Sequence, residues 1–347
     1  VMKRYSKLIP QGTRDLLFEE CDDRRNVEAI LSALFKEHKY RKVMTPTVEF
    51  YDVFAENDLG IEAEEMYKLS DSQGRTTVLR PDNTAPIARL VATRLSKEDF
   101  PVRLYYNQNV YVRNKSLAGR TDETEQSGIE LIGDGSIDAD IEVISMAYEA
   151  LKRNNVSSFK LELCHAGFFK SILNKMNITS TQKADICKLI EGKNYAALGD
   201  MLAQFDDSRE ADVIKKLPRL FGDVSVIDEA KKLYNDEKSN EALDYLRNVY
   251  EKLCDMGLGD NITIDLGLVN RSNYYTGVIF RGYACRLVVH AALAGAVCVP
   301  CSAFGWYLCM AVAGGVGHFG GHCLPAGLDI ESGKSGRMYK TRVISLK

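Results

Sequence analysis

Residues 265–283 read DLGLVNRSNYYTGVIFRGY, and this stretch decides how the rest of the chain is taken. A paired tyrosine, Tyr274-Tyr275, is followed by the Thr276-Gly277 step and then by an apolar, β-branched run that predicts a strand. A second strand-like run, ITIDL (262–266), lies just upstream. Aromatic rings and a hydroxyl placed between two strands make the outline of a small polar pocket. Asn270 and Arg271 precede the tyrosines, and on a strand such neighbours face opposite ways, so Arg271 cannot stand in for Asn270.

Working outward, FKLELC (159–164) alternates cleanly. Residues 138–153 predict a helix with Ile141, Ile144, Tyr148 and Leu151 on one side, and Asp138, Asp140 and Glu142 at its start, where the helix dipole favours anions. SGIELIG (127–133), VRLYYNQNVYVR (102–113) and DSQGRTTVLRP (71–81) read as strands, with a helix over 84–97. VMTPTVEFYDVF (43–54) is β-like, and Pro46 suits it to an edge or an interface. Val27, Ile30, Leu31, Leu34 and Phe35 give residues 22–40 one apolar helical face. Residues 168–257 turn to short helices rich in Lys, Asp and Glu. Strands separated by irregular helices, with no G-x-G-x-x-G after a strand, predict an α+β fold on a mostly antiparallel sheet flanked by helices. The expected division is a core of 1–167 and 258–330, a helical insertion of 168–257 and a tail of 331–347.

The 347 residues suffice for one large core or two domains. A net charge of −3 argues against a general nucleic-acid binder. The opening VMKRYSKLIPQGTRD lacks an apolar signal core, so a cytoplasmic protein is expected. Nine cysteines leave at least one unpaired, as in a reducing compartment.

Five segments, in order, resemble the histidyl-tRNA synthetase family of class II synthetases. IPQGTRD (9–15) resembles its N-terminal signature, TPTVEF (45–50) its dimer-interface motif, and LRPDNTAPIARL (79–90) its LRPE-G-T-A segment. YVRNKSLAGRTDETEQSGIELIG (111–133) resembles motif 2, and 265–283 resembles the histidine-binding signature LVRGLDYYTG. The resemblance implies a histidine pocket of Asp82, Thr84, Gln126, Glu130, Tyr274 and Tyr275, with Asp82 on the ammonium and Glu130 and Tyr274 on the imidazole. It also implies losses. The signature arginine is Asn270, a motif-2 glutamate is Lys115, and a basic, aromatic run is replaced by Asp122 and Thr124. Fixed cations aimed at developing charge are worth roughly 3–4 kcal/mol, and acids beside a polyphosphate repel it. Arg113 keeps the place of the family's phosphate-gripping arginine, as a possible vestige. Amino-acid handling is retained while nucleotide handling is eroded.

That selective loss, IARLVATRL after LRPD, and DLG ahead of the tyrosines resemble the synthetase-like family that forms the regulatory subunit of ATP phosphoribosyltransferase. The resemblance implies no catalytic residues, no cofactor and no bound metal. It implies as partners histidine and the short-form catalytic subunit, a homodimer within a larger hetero-oligomer, and neither membrane nor tRNA. The alternatives are a histidyl-tRNA synthetase, active or degenerate, and a free-standing histidine sensor. Against a synthetase, the chain after Tyr283 is expected to be too short for an anticodon-binding domain.

Residues 287–328 contain no Asp, Glu, Lys or Arg. Three readings compete there. The first is a membrane span, although Pro300 and frequent glycine interrupt it. The second is a zinc site at Cys298, Cys301, His318 and His322. The third is a stretch read in a shifted frame relative to the family.

Overall fold

The computed structural model describes residues 7–55, 61–114, 121–156, 158–205, 208–269, 275–284, 315–317 and 339–346. Asn270, Arg271, Tyr274, Lys115 and the Cys298, Cys301, His318 and His322 set lie outside the described residues. No helix of the described residues is long and apolar enough to cross a membrane.

Helix α1 (Glu19–Glu37) opens with Glu19, Glu20 and Asp22 at its positive end and buries Leu31, Leu34 and Phe35. It is followed by β1 (Arg41–Lys42), β2 (Val48–Phe50) and the single turn α2 (Asp52–Ala55), so only three residues of the 43–54 run are strand. Then come β3 (Lys68–Ser70), β4 (Thr76–Leu79) and α3 (Thr84–Arg94). The sheet order β2-β4-β3 leaves β2 at an edge, where Pro46 close by costs no ladder bond.

The centre of the molecule is the hairpin of β5 (Val102–Tyr111) and β6 (Glu123–Ile132), paired antiparallel over their whole length. Both faces are covered. Tyr105, Ile129 and Leu131 face α1 and α4 (Ile137–Arg153), with the Phe35 and Tyr105 rings 5.5 Å apart. Leu104, Tyr106 and Ile132 face Ile87 and Val91 of α3. This double burial explains why the consecutive residues Leu104, Tyr105 and Tyr106 are all apolar or aromatic and all buried. Ser136 caps α4 by accepting from the Ala139 amide at 3.2 Å.

A second sheet begins with β7 (Phe159–His165). The helices α5 (Ala166–Lys175), α6 (Ser180–Glu191), α7 (Tyr195–Leu202) and α8 (Arg209–Lys216) follow. After β8 (Phe221–Gly222) come α9 (Ser225–Leu233) and α10 (Glu237–Asp255). The sheet is completed by β9 (Ile262–Asp265) and β10 (Val278–Ala284) in the order β10-β7-β9-β8. Leu161, Leu163, Ile264 and Phe280 from its strands share one hydrophobic cluster with Leu243 and Leu246 of α10 and Ile144 of α4. The change of composition at 168 and 257 therefore marks a change of element type inside one packed core.

Last are β11 (Gly315–Gly317) and β12 (Tyr339–Leu346). β12 pairs antiparallel with β6, giving the order β1-β5-β6-β12-β11. Residues 331–347, expected to be a tail, thus supply a strand, in keeping with the β-branched Thr341, Val343 and Ile344. The described residues form three sheets, and among their pairings only β1–β5 and β7–β9 are parallel.

Candidate functional site

Register puts Gln108, Gln126 and Glu130 of the hairpin on the face toward α3. Gln108 lies opposite Gln126, Tyr106 opposite Gly128, and Leu104 opposite Glu130. Gly128, between Gln126 and Glu130 on the same face, carries no side chain. The N-terminus of α3 comes down on this face. The Asp82 carboxylate accepts from the Thr84 amide at 2.8 Å and from Gln126 Nε2 at 3.0 Å. It thereby sits at the positive end of the helix.

Three further residues lock the arrangement. Asn83 Nδ2 donates to Gln126 Oε1 at 2.6 Å, and the Asn83 backbone amide donates to the same oxygen at 3.2 Å. Gln108 Nε2 donates to Asn83 Oδ1 at 2.7 Å, while Gln108 Oε1 accepts from the Thr45 amide at 2.8 Å. Asn83, Gln126 and Gln108 are all buried. Buried Arg80 ties the surrounding backbone together, donating to the carbonyls of Asn109 and Thr45 at 2.7 and 2.8 Å. The orientation of Gln126 is thus fixed before any ligand arrives.

Glu130 is 1 % exposed, and its Oε1 has no hydrogen-bond partner. Burial pushes its carboxyl well above the ordinary value of 4.5 and the nearby Asp82 charge pushes the same way, against a hydrogen bond from Thr84. A buried carboxyl with an open oxygen, beside a pre-oriented amide and a carboxylate, can grip a small molecule carrying N–H groups. Thr84 itself is buried.

Asp82, Thr84, Gln126 and Glu130 are therefore brought together. Tyr275 is half-buried at the entry to β10, and its carbonyl accepts from Lys170 Nζ at 2.7 Å. Sequence reading missed Asn83, Gln108 and Thr45. The signal available was the Q-N in VRLYYNQNVY, a polar pair in an otherwise apolar strand.

The far end of the hairpin is different. Arg113 is exposed, with its guanidinium 5.2 Å from the Tyr67 ring centroid. Asp122 accepts from the Tyr67 hydroxyl, from the Asn114 amide at 3.0 Å and from Asn114 Nδ2 at 3.2 Å. Its backbone amide donates to the Gly12 carbonyl at 2.6 Å. Burial raises the Asp122 carboxyl, but the bonds from Tyr67 and Asn114 and the Arg113 charge outweigh it and hold it below 3.8. Gly12 has φ +80°, and a Cβ there would lie 2.5 Å from Asp122 Cγ. Asp122 was expected only to repel phosphate; it also fastens the N-terminal segment to the hairpin.

A helix-flanked, mostly antiparallel fold with this pocket defines a class II synthetase-like protein. The family model for histidyl-tRNA synthetase matches residues 12–296. The ATP phosphoribosyltransferase regulatory subunit of Clostridium novyi is 44% identical over 285 residues, covering 81% of this chain and 68% of that one. The subunit of the same name from Clostridium kluyveri is 41% identical over 286 residues, covering 81% and 73%. A crystal structure from Bacillus halodurans, described as an ATP phosphoribosyltransferase regulatory subunit/histidyl-tRNA synthetase, superposes with a TM-score of 0.77 at 30% identity, covering 99% of this chain and 82% of that one. Histidyl-tRNA synthetase from Nostoc shares the fold at a TM-score of 0.73 and 18% identity, covering 99% and 74%. The chain belongs to the histidyl-tRNA synthetase-like family of ATP phosphoribosyltransferase regulatory subunits.

Proposed function

We propose that this chain is a regulatory subunit of ATP phosphoribosyltransferase, without catalysis of its own. In this reading it binds histidine on the α3 face of the β5–β6 hairpin and conveys that occupancy to a short-form catalytic subunit in the cytoplasm. The observation that carries the reading is the open oxygen of buried Glu130 beside Asp82 and Gln126. Such a group is costly to leave unpaired, and a ligand N–H removes that cost. Asp82 supplies a carboxylate for an ammonium, Gln126 is held to orient the ligand, and Glu130 meets the imidazole. The family resemblance adds Tyr274 and Tyr275 as further contacts to the ligand. The same chain makes a poor adenylating enzyme, because the Asp122 carboxylate takes up the Tyr67 and Asn114 donors and repels a polyphosphate, while the neutral Asn270 supplies no cation. Regulation then needs only that histidine bind two states of the complex with affinities differing by about 1–3 kcal/mol.

Two assays test this. Calorimetry should detect histidine binding, and the chain should change the transferase activity of a short catalytic subunit in a histidine-dependent way. Histidine-dependent pyrophosphate exchange with no effect on the transferase would overturn the reading. The chain is also proposed to dimerise through β2. Val48 and Phe50 on its edge, Met44 beside it and Leu69 on β3 are large apolar residues exposed by 43–73 %. A clean monomer in sedimentation at micromolar concentration would count against that interface.

A further inference from the structure

The segment that opens β10 is gripped from one side by α5. The Ala166 amide donates to the Gly277 carbonyl at 2.9 Å, and the Lys170 ammonium donates to the Tyr275 carbonyl at 2.7 Å. Both bonds go to backbone oxygens, so they set where residues 275–277 lie whatever side chains those residues carry. The start of α5 is itself fixed. His165 Nδ1 accepts from the Gly167 amide at 3.1 Å, and the His165 ring meets Tyr245 of α10 edge-on at 5.6 Å. Gly167 leaves no slack, since a Cβ there would lie 2.9 Å from His165 Nδ1 and 3.4 Å from Ala242 Cβ. The Tyr245 hydroxyl donates at 2.7 Å to Asp140, fully buried in the first turn of α4. That helix backs the sheet carrying Gln126 and Glu130.

The contacts therefore run without a gap from Tyr275 through α5 and α10 to α4. Helices packed this closely move as bodies rather than deform, so a shift of one is passed to the next. We infer that α5 is a lever with Lys170 as its positioning residue: it sets Tyr275 at the histidine pocket according to the position of the helical segment 166–255. The inference rests on the pocket reading above and adds its regulation. A partner pressing on the helical segment would be felt at Tyr275, and a ligand fixing Tyr275 would be felt by the partner.

Lys170→Met keeps most of the side-chain volume and removes the donor; Lys170→Arg keeps a donor. Two measurements on the full chain separate the claims. In the ligand-free protein, hydrogen exchange of amides 275–280 should quicken about tenfold in Lys170→Met, with 102–111 unchanged. Histidine affinity should fall about tenfold, and Lys170→Arg should restore both. Tyr245→Phe, which releases Asp140, should move both readouts the same way by a smaller factor. Melting curves control for general damage, and Lys170→Leu, which also lacks a donor, replaces the Met variant if the latter melts early. Unchanged exchange in the donor-less variant overturns the lever whatever histidine does. Wild-type chain that binds no histidine overturns the pocket reading, and with it the coupling to histidine, while loosened exchange would still report the latch.

Discussion

The two ends of the β5–β6 hairpin carry similar residue types and do opposite things. Near α3, Asp82, Gln126 and Glu130 form a pre-oriented group with one buried oxygen left open. At the other end Asp122 spends its carboxylate on Tyr67 and Asn114, and Arg113 rests against an aromatic ring. A polar group held in place with capacity left over can bind a ligand. One whose capacity is consumed inside the fold only holds the fold. The difference lies in local geometry and not in residue type.

The largest expected effect tests the open end. Glu130→Gln should weaken histidine binding roughly 100-fold, about 2.7 kcal/mol, in calorimetry. Asp122→Ala should leave that affinity within about threefold; an equal loss there would break the contrast between the two ends. The same Asp122→Ala change should lower stability to urea by about 2–3 kcal/mol, because the Tyr67 hydroxyl and Asn114 amide lose their acceptor. Gly12→Ala should cost about 1–2 kcal/mol from its left-handed backbone and the clash with Asp122. In the double variant Asp122→Ala/Gly12→Ala, the clash has no partner, so the losses should fall short of their sum by about 1 kcal/mol.

The smallest effects concern pH and have opposite signs at the two ends. Glu130 is raised in the folded chain, so the stability it contributes is present below 4.5 and lost as pH rises through its folded value. Asp122 is lowered, so its contribution is present above 3.8 and lost as pH falls through its folded value. Urea midpoints followed against pH should show Glu130→Gln losing less stability than wild type on the alkaline side. Asp122→Asn should lose less on the acid side.

Much of the framework was readable from periodicity. α1 and α4 carry long amphipathic faces, and FKLELC in β7 alternates, so their existence follows from spacing. The site was half readable. Asp82, Gln126 and Glu130 stood out through a family resemblance, but Asn83 and Gln108 did not, because a carboxamide in a strand is ambiguous until register assigns its face. Asn83 occupies the N-cap position of α3 without capping it, its side-chain oxygen accepting from Gln108 instead. The role of Asp122 was hidden for another reason. Its meaning depends on Gly12, a contact between distant parts of the chain that no local pattern reports. The short β2 and α2 fall below the length at which periodicity distinguishes helix from strand.

The Gly12–Asp122 contact also bears on whether this chain's history can be reversed. An arginine put back at 122 would strand the Tyr67 hydroxyl and the Asn114 amide, and would have to pass the Gly12 backbone that the carboxylate now touches. That single reversion is therefore expected to destabilise the fold. A position that takes on structural duty of this kind is kept by selection for folding, and changes there act as a ratchet.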